Sequence, residues 1–404
     1  MAWYHRLLFK KAASTEKRSS TFRFPASWLV GGSGVSGMNV TRETALSISA
    51  VYRAVWLISG TVASIPFNVY KKKNSAWEKD ETHYLNTLLN RKPSEIYNAF
   101  NFKQVLLIHL LSDGNAFVQI KDNQLIIEDY RSIDPFVFEN KKFYRFSNGE
   151  IKLNEEMLHF MGLSFGVNGM NNGIQQNLRG LSPIAATYSV HAGALAETEY
   201  TNKFFENGAA PSGVIEVDGE LGDIAYERLK SSFQQSYGGV QNVGKTPIME
   251  SGAKYKTITI SPRDAMIIEK KKLTVADIAR IYSVPTHLLY DLDRATYASV
   301  ENLSQEFISY GIKPRVELLE AELNSKFFPD SDYEIRGDLD ALLRGDSAAR
   351  ANLYKELFYT GAMSPNEIRK SEGLIPYSGG DQRFIQVNMM PVVENMKSTN
   401  IKEE

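Results

Sequence analysis

The residues from Ser299 to Phe328 carry an apolar stripe at helical spacing (Val300, Leu303, Phe307, Leu319, Leu323 and Phe327) with Gly311 and Pro314 inside it. A proline within a helix removes one backbone donor, and its ring clashes with the carbonyl one turn back. A long helix bent near Gly311 and Pro314 is therefore expected. Proline, glycine and capping residues punctuate the rest of the chain in the same way. Thr41 can cap a helix reaching Ser64, stopped by Pro66, after which Phe67 to Tyr70 alternates like a strand. A second helix fits Phe100 to Leu111, closed by Asp113 and Gly114. Short strands follow at Ala116–Ile120, Leu125–Asp129, Phe143–Phe146 and Met157–Met161, so this half reads as α+β.

Ser182 and Pro183 open a helix that can run to Phe205 and stop at Asn207-Gly208. Leu221 to Tyr237 is amphipathic, with Ile224, Leu229 and Phe233 on one face. Residues 240 to 260 are strand-and-turn material. Ser261, Pro262 and Asp264 form a capping signal for a helix towards Leu273, and Thr274 with Asp277 can cap further turns ending at Val284. A loop follows from Thr286 to Ala298. Helices at Ser347–Thr360 and after Ser364-Pro365 complete the chain, with a loose tail beyond Gly380.

Composition excludes several functions. The 404 residues hold no cysteine, which removes disulfides, thiolate metal sites and cysteine nucleophiles, and fits assembly in reducing cytoplasm. Lys and Arg number 46 against 47 Asp and Glu, so the chain lacks the basic excess by which proteins grip phosphates. Either the chain ignores nucleic acid or it handles it without holding on, as a channel would. No stretch reads as a membrane span or signal peptide, and residues 1–38 read as a flexible basic arm. The histidines are scattered, without ligand spacing, and no Ser-His-Asp arrangement is suggested. Asp291 with Asp293, and Asp338 with Asp340, are read as solvated loop acids in preference to a cation site. Neither catalysis, nor a cofactor, nor a metal is expected.

Two motifs invite other readings. Gly239, Gly244, Lys245 and Thr246 match a phosphate-loop pattern, which would make residues 239–246 part of an NTPase. That chemistry needs a strand before the loop and a helix after it. An amphipathic helix precedes here, and Pro247 follows. Thr274 to Leu289 resembles a helix-turn-helix of a DNA-binding regulator, but Asp291 and Asp293 would repel phosphates.

Several segments, in order, resemble the portal protein family of tailed double-stranded DNA bacteriophages. These are Thr44-Ala45-Leu46 with Ser64-Ile65-Pro66; Gly114-Asn115-Ala116; Gly180-Leu181-Ser182-Pro183; Phe204-Phe205 with Asn207-Gly208; Val284-Pro285; Ala295-Thr296-Tyr297; Pro314; and Asn366-Glu367-Ile368-Arg369. The resemblance implies a closed ring, usually a dodecamer, built from a wing, stem, clip, spine and crown. The wing would be residues 39–220 with 329–340, the two stem helices 221–237 and 263–284, and the small β clip 238–262. The tunnel loop would be 285–298, the kinked spine helix 299–328, and the crown with its loose tail 341–404. It further implies that Asp291, Asp293, Arg294 and Tyr297 face the DNA channel. Gln241, Asn242 and Lys245 would dock the packaging motor and neck adaptor. The implied partners are further copies of the chain, the terminase large subunit, a head-tail adaptor, the major capsid protein and scaffold, and passing double-stranded DNA. No membrane is involved, and the expected location is the portal vertex of the virion.

Overall fold

The computed structural model describes residues 38–73, 76–164, 178–206, 213–217, 219, 222–237, 254–257, 263–291, 305–339, 342 and 347–384. The chain divides into two units, Met1–Gly337 and Asp338–Glu404.

In the first unit, the expected helix from Thr41 to Ser64 is two helices, α1 (Arg42–Leu46) and α2 (Ser49–Ser64). Thr41 and Thr44 form a reciprocal capping box at the start of α1. The Ser47 hydroxyl donates to Thr44 O (2.7 Å), and Ile48 turns to extended backbone. Such hydroxyl-to-backbone bonds compete with helical ones. α2 buries Val51, Ala54, Val55, Ile58 and Val62 against α4 (Ala99–Asp113).

Strand β1 (Phe67–Lys73) pairs antiparallel with β2 (Ala76–Lys79) and with the distant β11 (Tyr333–Gly337), Val69 opposite Ile335. The short helix α3 (Tyr84–Asn90) is fixed to β1 by side-chain amides. Asn90 accepts from Phe67 N (2.8 Å) and Asn86 from Val69 N (3.0 Å).

β3 (Asn115–Lys121) lies between β4 (Gln124–Glu128) and β8 (Met157–Met161). A second small sheet orders β5 (Ile133–Phe138), β6 (Lys141–Phe146) and β7 (Ile151–Leu153). Phe117, Ile133, Tyr144 and Met157 form the core between them. The sequence gives no sign of β5 because Pro135 lies within it. As an edge strand it tolerates the missing donor.

The helix expected from Ser182 is also interrupted. α5 (Pro183–Ala186) ends at Thr187, whose hydroxyl donates to Pro183 O (2.7 Å), and α6 (Tyr188–Glu206) follows. Strand β9 (Gly213–Glu216), helix α7 (Asp223–Tyr237), strand β10 (Lys254–Thr257) and helix α8 (Arg263–Tyr282) come next, β9 and β10 pairing antiparallel. α8 runs unbroken through Thr274, against the expectation of a new start there. Asp277 pairs instead with Arg280 on the same helix. Ile278, Ala279 and Tyr282 are buried, and α8 packs against α2 and α6.

The described part of the helix expected from Ser299 begins at Gln305. It departs from α geometry as a π-helix at Phe307–Ile312, then continues as α9 (Lys313–Phe327). Pro314 is the second residue of α9 and follows the π-helix directly.

The second unit contains α10 (Ser347–Tyr359) and α11 (Pro365–Ser371). Gly361 turns the chain after α10 with φ +69°. Ser364 and Glu367 form the capping box that opens α11. Buried Asn366 then fastens the following turn, donating to Tyr377 O (2.9 Å) and accepting from Tyr377 N (3.0 Å).

Candidate functional site

The strongest candidate is the neck of the loop that follows α8. Ser283 takes a left-handed conformation (φ +56°) as α8 ends, and the Val284 amide returns to Ala279 O (2.9 Å). Val284 is buried. After Pro285 the chain makes one 3-10 turn, Thr286–Leu289, and Tyr290 is again left-handed (φ +65°). The Asp291 amide donates to Thr286 O (3.1 Å).

The π-helix meets this neck from the other side. A Cβ at Gly311 would lie 2.8 Å from Ser283 O and 2.8 Å from the Phe307 ring, so only glycine lets the two segments come this close. Arg315 joins them, donating to Tyr282 O (2.9 Å) and to Gly311 O. Burial pushes its guanidinium down to about 10, which leaves it charged at neutral pH. On α2, Arg53 donates through Nε to Leu288 O (3.2 Å).

Of the residues expected to line the channel, Asp291 lies at this neck, half-buried. Asp293, Arg294 and Tyr297 lie outside the described residues, as do Gln241, Asn242 and Lys245. Gly311 and Pro314 lie at the junction of the π-helix with α9. Arg53 and Arg315 carry no motif and were not singled out by the sequence. Among the described residues the helix-turn-helix reading gains no second helix, because Thr286–Leu289 is one 3-10 turn ending at a left-handed Tyr290. The phosphate-loop lookalike lies outside the described residues, but helix α7, not a strand, precedes it.

A second cluster explains the Gly114-Asn115-Ala116 motif. Asn115 Oδ1 accepts from Gly180 N (2.7 Å), and its amide nitrogen donates to Asp113 O (3.0 Å) and Gly180 O (2.9 Å). Because Oδ1 is an acceptor, buried His159 at 3.0 Å must carry its proton on Nε2. Its Nδ1 then accepts from Lys142 Nζ (2.9 Å), and its ring stacks on Phe117. Burial and the neighbouring lysines hold the imidazole neutral, well below its ordinary range. The His159 amide donates to Glu322 on α9 (2.9 Å), so this node ties the sheet to the long helix.

Two lysines give the fold a pH dependence. Burial lowers Lys142, and Lys103, which donates to Ile65 O (2.6 Å), from 10.5 to about 8. Below pH 8 both are protonated in the folded and the unfolded chain, and the fold carries the full desolvation cost. Between 8 and 10.5 the folded chain loses these protons first. Their contribution to stability therefore rises with pH, by at most about 1.4 kcal/mol per unit for each lysine. Urea midpoints at pH 7.5 and 10 test this. Lys103→Met should flatten the rise, and an unchanged slope in that variant would remove Lys103 as its source.

Among the described residues no group of three or more His, Asp or Glu could hold a metal, and no helix is long and apolar enough to cross a membrane.

Comparison with known proteins gives a consistent result. The sequence model of the family described as "Phage portal protein" matches residues 49–373. The portal protein of Enterobacteria phage HK97 is 27% identical over 373 residues, covering 88% of this chain and 85% of its own. An HK97-family phage portal protein from Corynebacterium diphtheriae shares the fold, with TM-score 0.56 and 18% identity, covering 76% of this chain and 99% of its own. The neck of a native gene transfer agent particle, computed with C12 symmetry, contains a chain similar at TM-score 0.53 and 22% identity. That match covers 83% of this chain and 92% of that one.

Proposed function

Because the chain belongs to the phage portal protein family, we propose that it assembles as a closed ring, most simply of twelve subunits, and conducts double-stranded DNA into and out of a viral head. The observation that carries the ring is α7. Every residue from Asp223 to Arg228 on it is exposed, including Ile224 at 74% and Tyr226 at 53%. A helix whose first turns are uncovered, apolar Ile224 and Tyr226 included, is suited to burial against the next subunit of a head-to-tail ring, where closure depends on the rotation between neighbours. The C12 symmetry of the gene transfer agent neck supports the same reading.

In this ring residues 39–220 with 329–340 form the wing, and the pairing of β11 with β1 supports including the later segment. Residues 221–237 and 263–284 are the stem, and 238–262 the clip, where Gln241, Asn242 and Lys245 meet the terminase large subunit and then the head-tail adaptor. Residues 299–328 are the spine and 341–404 the crown; the division of the chain after Gly337 supports a separate crown. Capsid protein and scaffold surround the ring at the portal vertex, after assembly in host cytoplasm. The function is structural, without catalysis.

The loop 285–298 faces the DNA. Asp291 and Asp293 beside Arg294 and Tyr297 mix opposite charges. Near a polyanion such a mixture gives transient contact without the steep salt dependence of a tight binder. Electron microscopy of the purified protein should show rings with a central hole. A loop shortened within 292–298 should still form rings, while particles carrying it package or retain less DNA. Full-length, stably retained genomes in that variant would sink the tunnel-loop role, and loss of rings would make the loop a structural connection.

A further inference from the structure

The first described turn of the loop is held by a contact from a remote part of the chain. The Arg53 guanidinium lies 5.0 Å from the centre of the Trp56 ring and 5.0 Å from that of Tyr290. It is thus placed against both aromatic rings while its Nε donates to Leu288 O. Arg53 and Trp56 are three residues apart on α2 and share a helix face, whereas Leu288 and Tyr290 belong to the loop. Tyr290 is bulky and left-handed, a backbone state favourable to glycine or asparagine. The residue is 76% exposed, so burial in a core does not impose that state. The turn's own backbone bonds, Tyr290 N to His287 O and Asp291 N to Thr286 O, favour that state, and the contact with Arg53 is the side-chain interaction that adds to them.

We infer that Arg53 is a positioning residue that sets the direction in which the loop leaves its neck, acting through the Leu288 carbonyl and the Tyr290 ring. The inference extends the tunnel-loop reading above, but its geometry concerns the chain itself and holds whether or not the loop meets DNA. A planar guanidinium is suited to this role because it can lie against aromatic faces and donate in its own plane at once. An ammonium is a point charge on a flexible stem and cannot do both. Arg53 is only partly buried, so replacing it opens no large cavity.

Hydrogen exchange on the full-length protein, as purified rings, tests this. The Tyr290 and Asp291 amides close the 3-10 turn on His287 O and Thr286 O (both 3.1 Å). In Arg53→Ala these two amides should exchange about fivefold faster, the scale of one cation–π contact, while the amides of α4 are unchanged. Tyr290→Phe keeps the ring and should behave as wild type. Arg53→Lys should recover less than half of the lost protection. Arg53→Ala combined with Trp56→Ala should add little to Arg53→Ala alone, because both remove the same contact.

Unchanged Tyr290 and Asp291 exchange in Arg53→Ala would overturn the inference. Equal acceleration in α4 would do so too, since Arg53 would then support the whole fold and not the loop. Packaging by the same variant is read separately. Faster loop exchange with normal DNA retention would leave the Arg53 contact standing and count against the DNA-facing role.

Discussion

Gly180→Ala should leave the chain largely insoluble, with any soluble fraction less stable by at least about 4 kcal/mol. Three glycines meet where α4 passes into β3, β8 ends and the chain enters α5. Gly162 N donates to Gly114 O (2.9 Å), and Leu181 N donates to Leu163 O (2.7 Å). A Cβ at Gly180 would overlap Gly114 O and lie 2.9 Å from Gly162 N. Both neighbours are backbone, so no side chain can swing away. Asn115, bonded to both polar backbone atoms of Gly180, blocks a sideways shift. Gly114→Ala should be as damaging, because Gly114 is left-handed (φ +71°) and its Cβ would overlap Leu181 O. Total stabilities of about 5–15 kcal/mol leave little room for such losses. Gly193→Ala is the control. It lies in α6 with nothing within 4 Å of the new methyl, and helix propensity should make it neutral or stabilising by about 1 kcal/mol. Soluble yield and urea midpoint decide the matter. A Gly180→Ala protein matching Gly193→Ala on both would mean that the crossing can open at no cost.

The same crossing shows what the sequence reveals and what it hides. The string Gly114-Asn115-Ala116 is legible as a helix-to-strand turn, and Gly114 does cap α4 in a left-handed conformation. What Asn115 does is not legible, because its partners at Gly180 and His159 lie 65 and 44 residues away. Helix starts set by local caps at Thr41, Ser182 and Ser364 can be read directly, since donor and acceptor lie within a few residues. Breaks inside helices cannot. Around Ser47 and Thr187 the apolar spacing continues while the backbone leaves helical geometry at Ile48 and Thr187. Tertiary packing decides the opposite case, in which buried Ile278 and Tyr282 carry α8 through the cap-like Thr274. At the loop, the end of α8 before Pro285 is legible, whereas Ser299 lies outside the described residues. The residue that holds its first turn, Arg53, lies 235 positions from its acceptor and reads in sequence as an ordinary polar residue on α2.

Arg315→Met should cost about 2–3 kcal/mol and loosen the neck on which the loop is built. The helix expected to bend at Gly311 and Pro314 carries a π-helix immediately before Pro314. In a continuous α-helix the Pro314 ring would press on the carbonyl of Tyr310. The π stretch Phe307–Ile312 changes the register before that clash arises, at the expense of poorer hydrogen bonding. The widened turn needs support from outside, and Arg315 gives it by donating to Gly311 O within the π-helix and to Tyr282 O at the end of α8. Methionine fills much of the same space but donates to neither carbonyl. The loss is therefore the cost of two under-satisfied acceptors, partly offset because the desolvated guanidinium, already lowered to about 10, no longer has to be buried. Arg315→Lys keeps the charge and can reach one carbonyl but not both, so its loss should fall between wild type and methionine. Urea unfolding of the three proteins gives the order. Sizing chromatography should show the methionine variant losing rings, because the π-helix and α8 would no longer be held together. If Arg315→Met unfolds at the wild-type midpoint and still forms rings, the close approach of Gly311 to Ser283 O holds the neck without the arginine.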